Sequence, residues 1–125
     1  MALVLALVAD LLFGSRVQGA LSAAGHDVEL IGDDAALRRR LAATPPPAGA
    51  VLVVDLTDAQ LDGSTLIEEL AAAGALAGLR TLGFFSHVDV PTRERAERAG
   101  FDLVVPRSRM ARDAAGLVAS LSASP

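Results

Sequence analysis

The chain has 125 residues, a length that suits one domain, and 52% of them are hydrophobic, which is enough for a packed core. Its net charge of −4 argues against binding to nucleic acid or to anionic lipid, both of which attract clustered cations. Disulfides, thiol catalysis and cysteine zinc sites are excluded because the chain has no cysteine. All 11 basic residues are arginine, so lysine-dependent chemistry is also excluded.

Five short apolar runs are spaced along the chain in the manner of buried parallel strands. A continuous apolar run, without polar alternation, is typical of a strand that is covered on both faces. The first run lacks a basic residue before Asp10, and this acid interrupts it long before the roughly 20 residues of a membrane span. It is therefore predicted to be a strand, and the protein is expected to be cytoplasmic. The predicted strands are residues 3–8, 28–31, 50–54, 81–85 and 103–105.

Five stretches with helical spacing alternate with these strands. Gly25 and Gly100 lie where a glycine commonly ends a helix, and Pro91 suits the first turn of the fourth helix. Asp33 or Asp34 can cap the second helix. The predicted helices cover about residues 14–24, 34–43, 65–73, 91–99 and 110–121.

Strict alternation of strands and helices predicts an α/β fold. Right-handed helical crossovers between parallel strands give a doubly wound five-stranded sheet, for which the order 2-1-3-4-5 is expected, in one domain over residues 1–125. In such sheets the functional crevice lies at the carboxyl ends of the strands beside the point where the order reverses. Asp10, Asp55 and Ser86 follow or end the strands at that point.

Asp10 and Asp55 have both a functional and a structural interpretation. Two carboxylates that face one crevice suit Mg²⁺, which prefers oxygen ligands, and a carboxylate can act as a nucleophile toward phosphorus. Alternatively, Asp10 caps the first helix and pairs with Arg16, while Asp55 is a loop acid that accepts hydrogen bonds from local amides. The sequence alone leaves both interpretations open.

The histidines give no support for an enzyme. His26 falls in a predicted turn and is expected on the surface. His87 directly follows Ser86, and neighbours in sequence make a poor nucleophile–base pair, so no catalytic triad is predicted. Gly14 lacks the further glycines of a dinucleotide-binding fingerprint.

Four segments resemble the receiver domains of bacterial response regulators, the CheY-like family. They are residues 7–10, 53–56, 84–86 and 99–102, which read LVAD, VVDL, FFS and AGFD. The resemblance implies that Asp55 is the phosphoacceptor and that Ser86 hydrogen-bonds the phosphoryl group. It also implies that Asp10, Asp55 and the carbonyl of Thr57 could hold Mg²⁺.

The sequence departs from this family at three places. Ala9 stands where the family usually has the first acid of a pair, which weakens the attraction for Mg²⁺. The family's lysine, normally followed by proline, is replaced by Arg107 after Pro106, and a planar guanidinium is not equivalent to a compact ammonium. Leu103 or Val104 replaces the aromatic switch residue, so a signal at the site has a poor route to the distal face.

The resemblance and its departures together predict a pseudo-receiver, a non-enzymatic signalling domain that acts through protein contact with impaired or absent phosphorylation. The first alternative is an operating phosphoacceptor receiver that uses Asp55, Mg²⁺ at Asp10 and Asp55, Ser86, and Arg107 in place of lysine. The second is a small-ligand-binding or enzymatic domain on a flavodoxin-like fold, although four Phe and no Trp or Tyr offer few pocket-lining aromatics.

A protein partner is expected, either a sensor kinase or a downstream signalling protein. The fourth helix, fifth strand and fifth helix form the family's common dimer surface, and a homodimer could form there. In this chain that surface is predicted to carry Arg93, Glu94, Arg95, Glu97, Arg98, Arg109 and Arg112. The domain is expected to act in trans, without an output domain after Pro125, and the tail near Ser124 is expected to be disordered.

Overall fold

Five strands and five helices alternate in the computed structural model, which describes residues 2–123. The expectation for Ser124 lies outside the described residues. Within them, no helix combines the length and the apolar character needed to cross a bilayer. The elements are β1 Leu3–Leu7, α1 Leu11–Ala23, β2 Asp27–Ile31, α2 Asp34–Ala43, β3 Val51–Asp55, α3 Gly63–Ala72, β4 Arg80–Phe85, α4 Val90–Ala99, β5 Leu103–Pro106 and α5 Arg107–Ser122.

The strands form one parallel sheet in the order β2-β1-β3-β4-β5, which confirms the predicted topology. Leu7 lies beside Val54, and Asp55, the next residue of β3, lies beside Phe84 of β4. The carboxyl ends of β1, β3 and β4 therefore lie at one edge of the sheet. The residues that follow these three strands are thereby placed next to one another.

Helices cover both faces of the sheet, which explains why the central strands are apolar throughout. Val4 and Ala6 of β1 pack into the core beneath α1 and α5, whereas Leu5 and Leu7 pack into the core on the opposite face. The two sets alternate because successive strand residues point to opposite faces. A strand in this position has no solvent-facing side, so polar residues are confined to its ends.

Aspartates cap the first four helices. The carboxylates of Asp10, Asp33, Asp62 and Asp89 each accept a hydrogen bond from a backbone N–H in the first turn of α1, α2, α3 and α4, respectively. Such bonds satisfy N–H groups that have no partner inside the helix. Of the two candidates for the second cap, Asp33 is the one used, and the alternative reading of Asp10 as a cap is confirmed.

The predicted start of the last helix, at Met110, is wrong by three residues. Helix α5 begins at Arg107, directly after Pro106, which has a φ of −64° and no side-chain cap hydrogen bond. Proline lacks only a backbone N–H, a group that the start of a helix can spare. Arg107 therefore lies on the first turn of a helix and not in a flexible connection.

His26 is buried, which contradicts its expected place on the surface. Its Nδ1 accepts a hydrogen bond of 3.0 Å from the backbone N–H of Ala2. The imidazole thus provides a partner for a main-chain donor just before β1. A buried polar side chain is stable when it is hydrogen-bonded in this way.

Candidate functional site

Asp55 is the last residue of β3, and only 3% of it is exposed. Its Oδ1 accepts two hydrogen bonds from Thr57, one from the backbone N–H at 2.8 Å and one from the hydroxyl at 2.5 Å. Asp55 is therefore a strand residue and not a loop acid, although it does bind a local amide. The loop after β3 folds back onto one oxygen of this carboxylate.

Asp10 lies at the same edge of the sheet but is exposed. Its Oδ1 accepts hydrogen bonds from the N–H groups of Leu12 and Phe13 at 3.0 and 3.1 Å, and its Oδ2 accepts one from Nη2 of Arg107 at 3.1 Å. The pKa of Asp10 is lowered, chiefly by the Phe13 N–H and further by Arg107. Both oxygens of the ionised carboxylate are engaged, and the expected pairing with Arg16 is wrong.

Arg107 is held against an aromatic ring as well as against Asp10. Its guanidinium carbon lies 4.2 Å from the centroid of Phe13, a distance at which a cation is attracted to the face of a ring. Phe13 in turn packs on Phe84, with 5.1 Å between the ring centroids. Phe84 is completely buried beside Asp55. Arg107 therefore contacts, through Phe13, a residue at the centre of the sheet.

A cleft of about 390 Å³ opens beside Arg107 at the carboxyl edge of the sheet. It brings together Thr57, Ser86 and Arg107, three of the predicted site residues. We call this cleft the arginine cleft, and it is lined by Phe13, Arg16, Thr57, Ser86, His87, Arg107, Ser108 and Ala111. Phe13 and Ser108 were not among the predicted site residues. Phe13 lies three residues after Asp10 in the sequence and Ser108 lies next to Arg107, which are the only signals that could have indicated them.

Magnesium is the cofactor that the resemblance implies, and the side chains do not fit it well. Within residues 2–123 there is no group of three or more histidine or acidic side chains that could hold a metal ion. The guanidinium of Arg107 already neutralises Asp10 and would repel a second cation. Ala9 supplies no carboxylate, and Oδ1 of Asp55 is engaged by Thr57.

Arg95 differs in position from the rest of the charged set expected on the fourth helix, fifth strand and fifth helix. Its guanidinium binds Glu68 of α3, with a shortest N–O distance of 2.6 Å, so it bridges α3 and α4. Arg93 and Glu97 form a looser pair of 3.8 Å along α4. Among the described residues of this set, Glu94, Arg98, Arg109 and Arg112 are exposed.

Comparisons with known proteins identify the fold. Neither a family model nor a curated protein matches the sequence. The structure, however, resembles a protein described as a response regulator from Chloroflexus aurantiacus, with 17% identity, a TM-score of 0.85 and 98% of each chain covered. A Francisella response regulator receiver domain has 15% identity and a TM-score of 0.82, with 98% of this chain and 97% of that chain covered.

A third similar structure is the receiver domain of a sensor histidine kinase from Pseudomonas aeruginosa, which has a magnesium ion coordinated in its active-site cleft. It shares 15% identity, with a TM-score of 0.82 and 98% of each chain covered. This chain therefore has the CheY-like receiver fold of response regulators, as the sequence predicted.

Proposed function

We propose that this chain is a receiver-like signalling domain that acts through protein–protein contact, with phosphorylation of Asp55 impaired or absent. The observation that carries the proposal is the ion pair between Asp10 and Arg107, at 3.1 Å. It engages the one remaining carboxylate of the family's acidic pair. The partner would be a sensor kinase or a downstream signalling protein, and the domain itself would not be an enzyme.

Phosphoryl transfer depends on positive charge around the phosphoryl oxygens, and a bound metal ion is a common source of that charge. In this chain Ala9 provides no carboxylate, Asp10 is already neutralised, and no lysine is available. We infer that Arg107 supplies the positive charge beside Asp10 which a metal ion would otherwise supply. Its guanidinium lies against Phe13, and its planar fork is not equivalent to the compact ammonium of a lysine.

The proposed contact surface is formed by α4, β5 and α5. Its exposed charges include Glu94 and Arg98 on α4 and Arg109 and Arg112 on α5. Isolated exposed charges add little to stability, so they are available to form the polar rim of an interface. The partner at this surface would be either a second copy of the chain, giving a homodimer, or a different protein.

Incubation with a small phosphodonor and Mg²⁺, followed by intact-mass measurement, tests this proposal. We expect the mass of the wild-type protein to stay unchanged because the site lacks a free acidic pair and a lysine. The Asp55→Asn variant is the matched control, since it removes the acceptor carboxylate with little change in volume. A gain of one phosphoryl group in the wild type but not in Asp55→Asn would overturn the proposal.

The cleft favours one second candidate, an operating phosphoacceptor receiver. Thr57, Ser86 and Arg107 line a common cleft next to the strand end that carries Asp55. In this case Asp55 accepts the phosphoryl group, Ser86 hydrogen-bonds it, and Arg107 neutralises it. The same experiment would then give a mass gain that is lost in Asp55→Asn and reduced in Arg107→Ala.

A further inference from the structure

We propose that the arginine cleft binds a small phosphomonoester non-covalently and without a divalent metal ion. This inference goes beyond the proposed function and does not depend on it, because reversible binding needs no transfer of a phosphoryl group to Asp55. It would give the domain a diffusible ligand in addition to a protein partner.

Positive charge is concentrated in this cleft although the chain as a whole carries a net charge of −4. Arg16 and Arg107 line it, and no carboxylate does. Among residues 2–123, Arg16 forms no ion pair, so its charge is not neutralised by a neighbour. Two guanidinium groups that line one cleft suit a doubly charged anion such as a phosphomonoester.

Arg107 retains hydrogen-bonding capacity toward the cleft. It uses Nη2 to bind Asp10, whereas a guanidinium carries five N–H donors in total. The ion pair with Asp10 and the contact with Phe13 hold the group in place before any ligand arrives. A donor that is already ordered loses less conformational freedom on binding, which favours affinity.

The remaining lining residues suit the same ligand. Ser86 and Ser108 contribute hydroxyl groups, and His87 contributes an imidazole at the rim. The hydroxyl of Thr57 already donates to Asp55, so we assign it no bond to the ligand. The volume of about 390 Å³ is roughly a dozen times the ~30 Å³ that a water molecule occupies in the liquid, which leaves room for an organic group.

The neighbouring carboxylates oppose anion binding only weakly. Asp10 accepts hydrogen bonds from two main-chain amides as well as from Arg107, so its charge is largely compensated. Asp55 is buried, and its Oδ1 accepts two hydrogen bonds from Thr57, which partly compensate its charge. Neither acid lines the cleft itself.

Titration of nitrogen-15-labelled protein with inorganic phosphate and with phenyl phosphate, at constant ionic strength and with a metal chelator, tests this inference. We expect saturable shifts of the amide signals of Ser86, His87 and Ser108, and tighter binding of phenyl phosphate than of inorganic phosphate. Arg107→Ala and Arg16→Ala should each weaken binding by about tenfold or more, the usual effect of losing a hydrogen bond to a charged group.

Arg39→Ala is the matched control, because Arg39 is an exposed arginine of α2 remote from the arginine cleft. Equal affinity in the wild type, Arg107→Ala and Arg16→Ala, or shifts that do not saturate, would overturn the inference. Asp55→Asn separates the two proposals, since this variant cannot be phosphorylated at Asp55. Retained binding of phenyl phosphate in Asp55→Asn supports reversible binding, and its loss contradicts it.

Discussion

Asp10 follows β1 and Asp55 ends the adjacent strand β3, yet the two carboxylates have opposite surroundings. Asp10 is exposed and engaged through both oxygens, by the first turn of α1 and by Arg107. Asp55 is buried and is held through one oxygen by Thr57, two residues further along its own loop. One acid connects two helices, and the other is enclosed by the segment that follows it.

This contrast shows that position at the functional edge of a sheet does not by itself give a carboxylate a chemical role. Asp10 caps a helix and pairs with a cation, so its charge is used in holding α1 and α5 together. Asp55 caps no helix and pairs with no cation among the described residues. Of the two, only Asp55 is thus left without a helix to cap or a cation to bind among the described residues.

The largest expected effect comes from making the surroundings of Asp10 resemble the family pattern. Ala9 is exposed, so the double variant Ala9→Asp, Arg107→Lys can restore an acidic pair and an ammonium group without disturbing the core. We expect the affinity for Mn²⁺, measured by electron paramagnetic resonance of the free ion, to rise by about 10- to 100-fold, the range typical of changes around metal ligands. Unchanged affinity would show that Asp10 and Arg107 do not limit metal binding.

A smaller effect is expected from removing the cap that Asp10 provides. Asp10→Ala leaves the N–H groups of Leu12 and Phe13 without this acceptor, and we expect the melting temperature to fall by about 5 °C. Asp10→Asn should lower it less, because asparagine caps helices well. Asp33→Ala, which removes a cap that has no arginine partner, is the matched control. Equal falls in the melting temperature of Asp10→Ala and Asp10→Asn would mean that the lost ion pair with Arg107, and not the lost helix cap, causes the effect.

Acid unfolding should show how much the charge of Asp10 contributes to the free energy of unfolding. The pKa of Asp10 is lower in the folded protein than its ordinary value, so its stabilising contribution is present above about pH 4 and is lost as the pH falls through the folded value. Urea unfolding between pH 5 and pH 2 should therefore show a shallower loss of stability in Asp10→Asn than in the wild type. Glu94→Gln, which removes an exposed charge of α4, should leave the slope unchanged.

The smallest effect is expected for Arg107 itself in the free protein. Arg107→Ala removes a half-exposed ion pair and one cation–ring contact, so the melting temperature should fall by about 2 °C. Arg39→Ala should have no measurable effect. A much larger loss in Arg107→Ala would mean that Arg107 serves mainly to hold the fold together.

Local patterns were sufficient to predict the fold. The apolar runs gave the five strands within one or two residues at each end, since parallel strands covered on both faces have a simple signature. Gly25 and Gly100 have φ angles of 92° and 104°, which explains why glycine marks the ends of α1 and α4. Alternation and the crossover rule then led to the observed strand order.

Contacts between distant segments could not be predicted in the same way. Arg107 is 97 residues from Asp10, and nothing near Asp10 in the sequence favours it over Arg16. The burial of His26 depends on the N–H of Ala2, 24 residues away. Pairing across such separations is set by how the helices pack, which local spacing does not encode.

We infer that a guanidinium, and not a divalent metal ion, provides the positive charge beside Asp10. Titration of the nitrogen-15-labelled wild-type protein with Mg²⁺ tests it most directly, with the amide signals of Asp10, Asp55 and Thr57 as reporters. We expect these signals to stay in place at millimolar Mg²⁺. Saturable shifts confined to these three residues would contradict it.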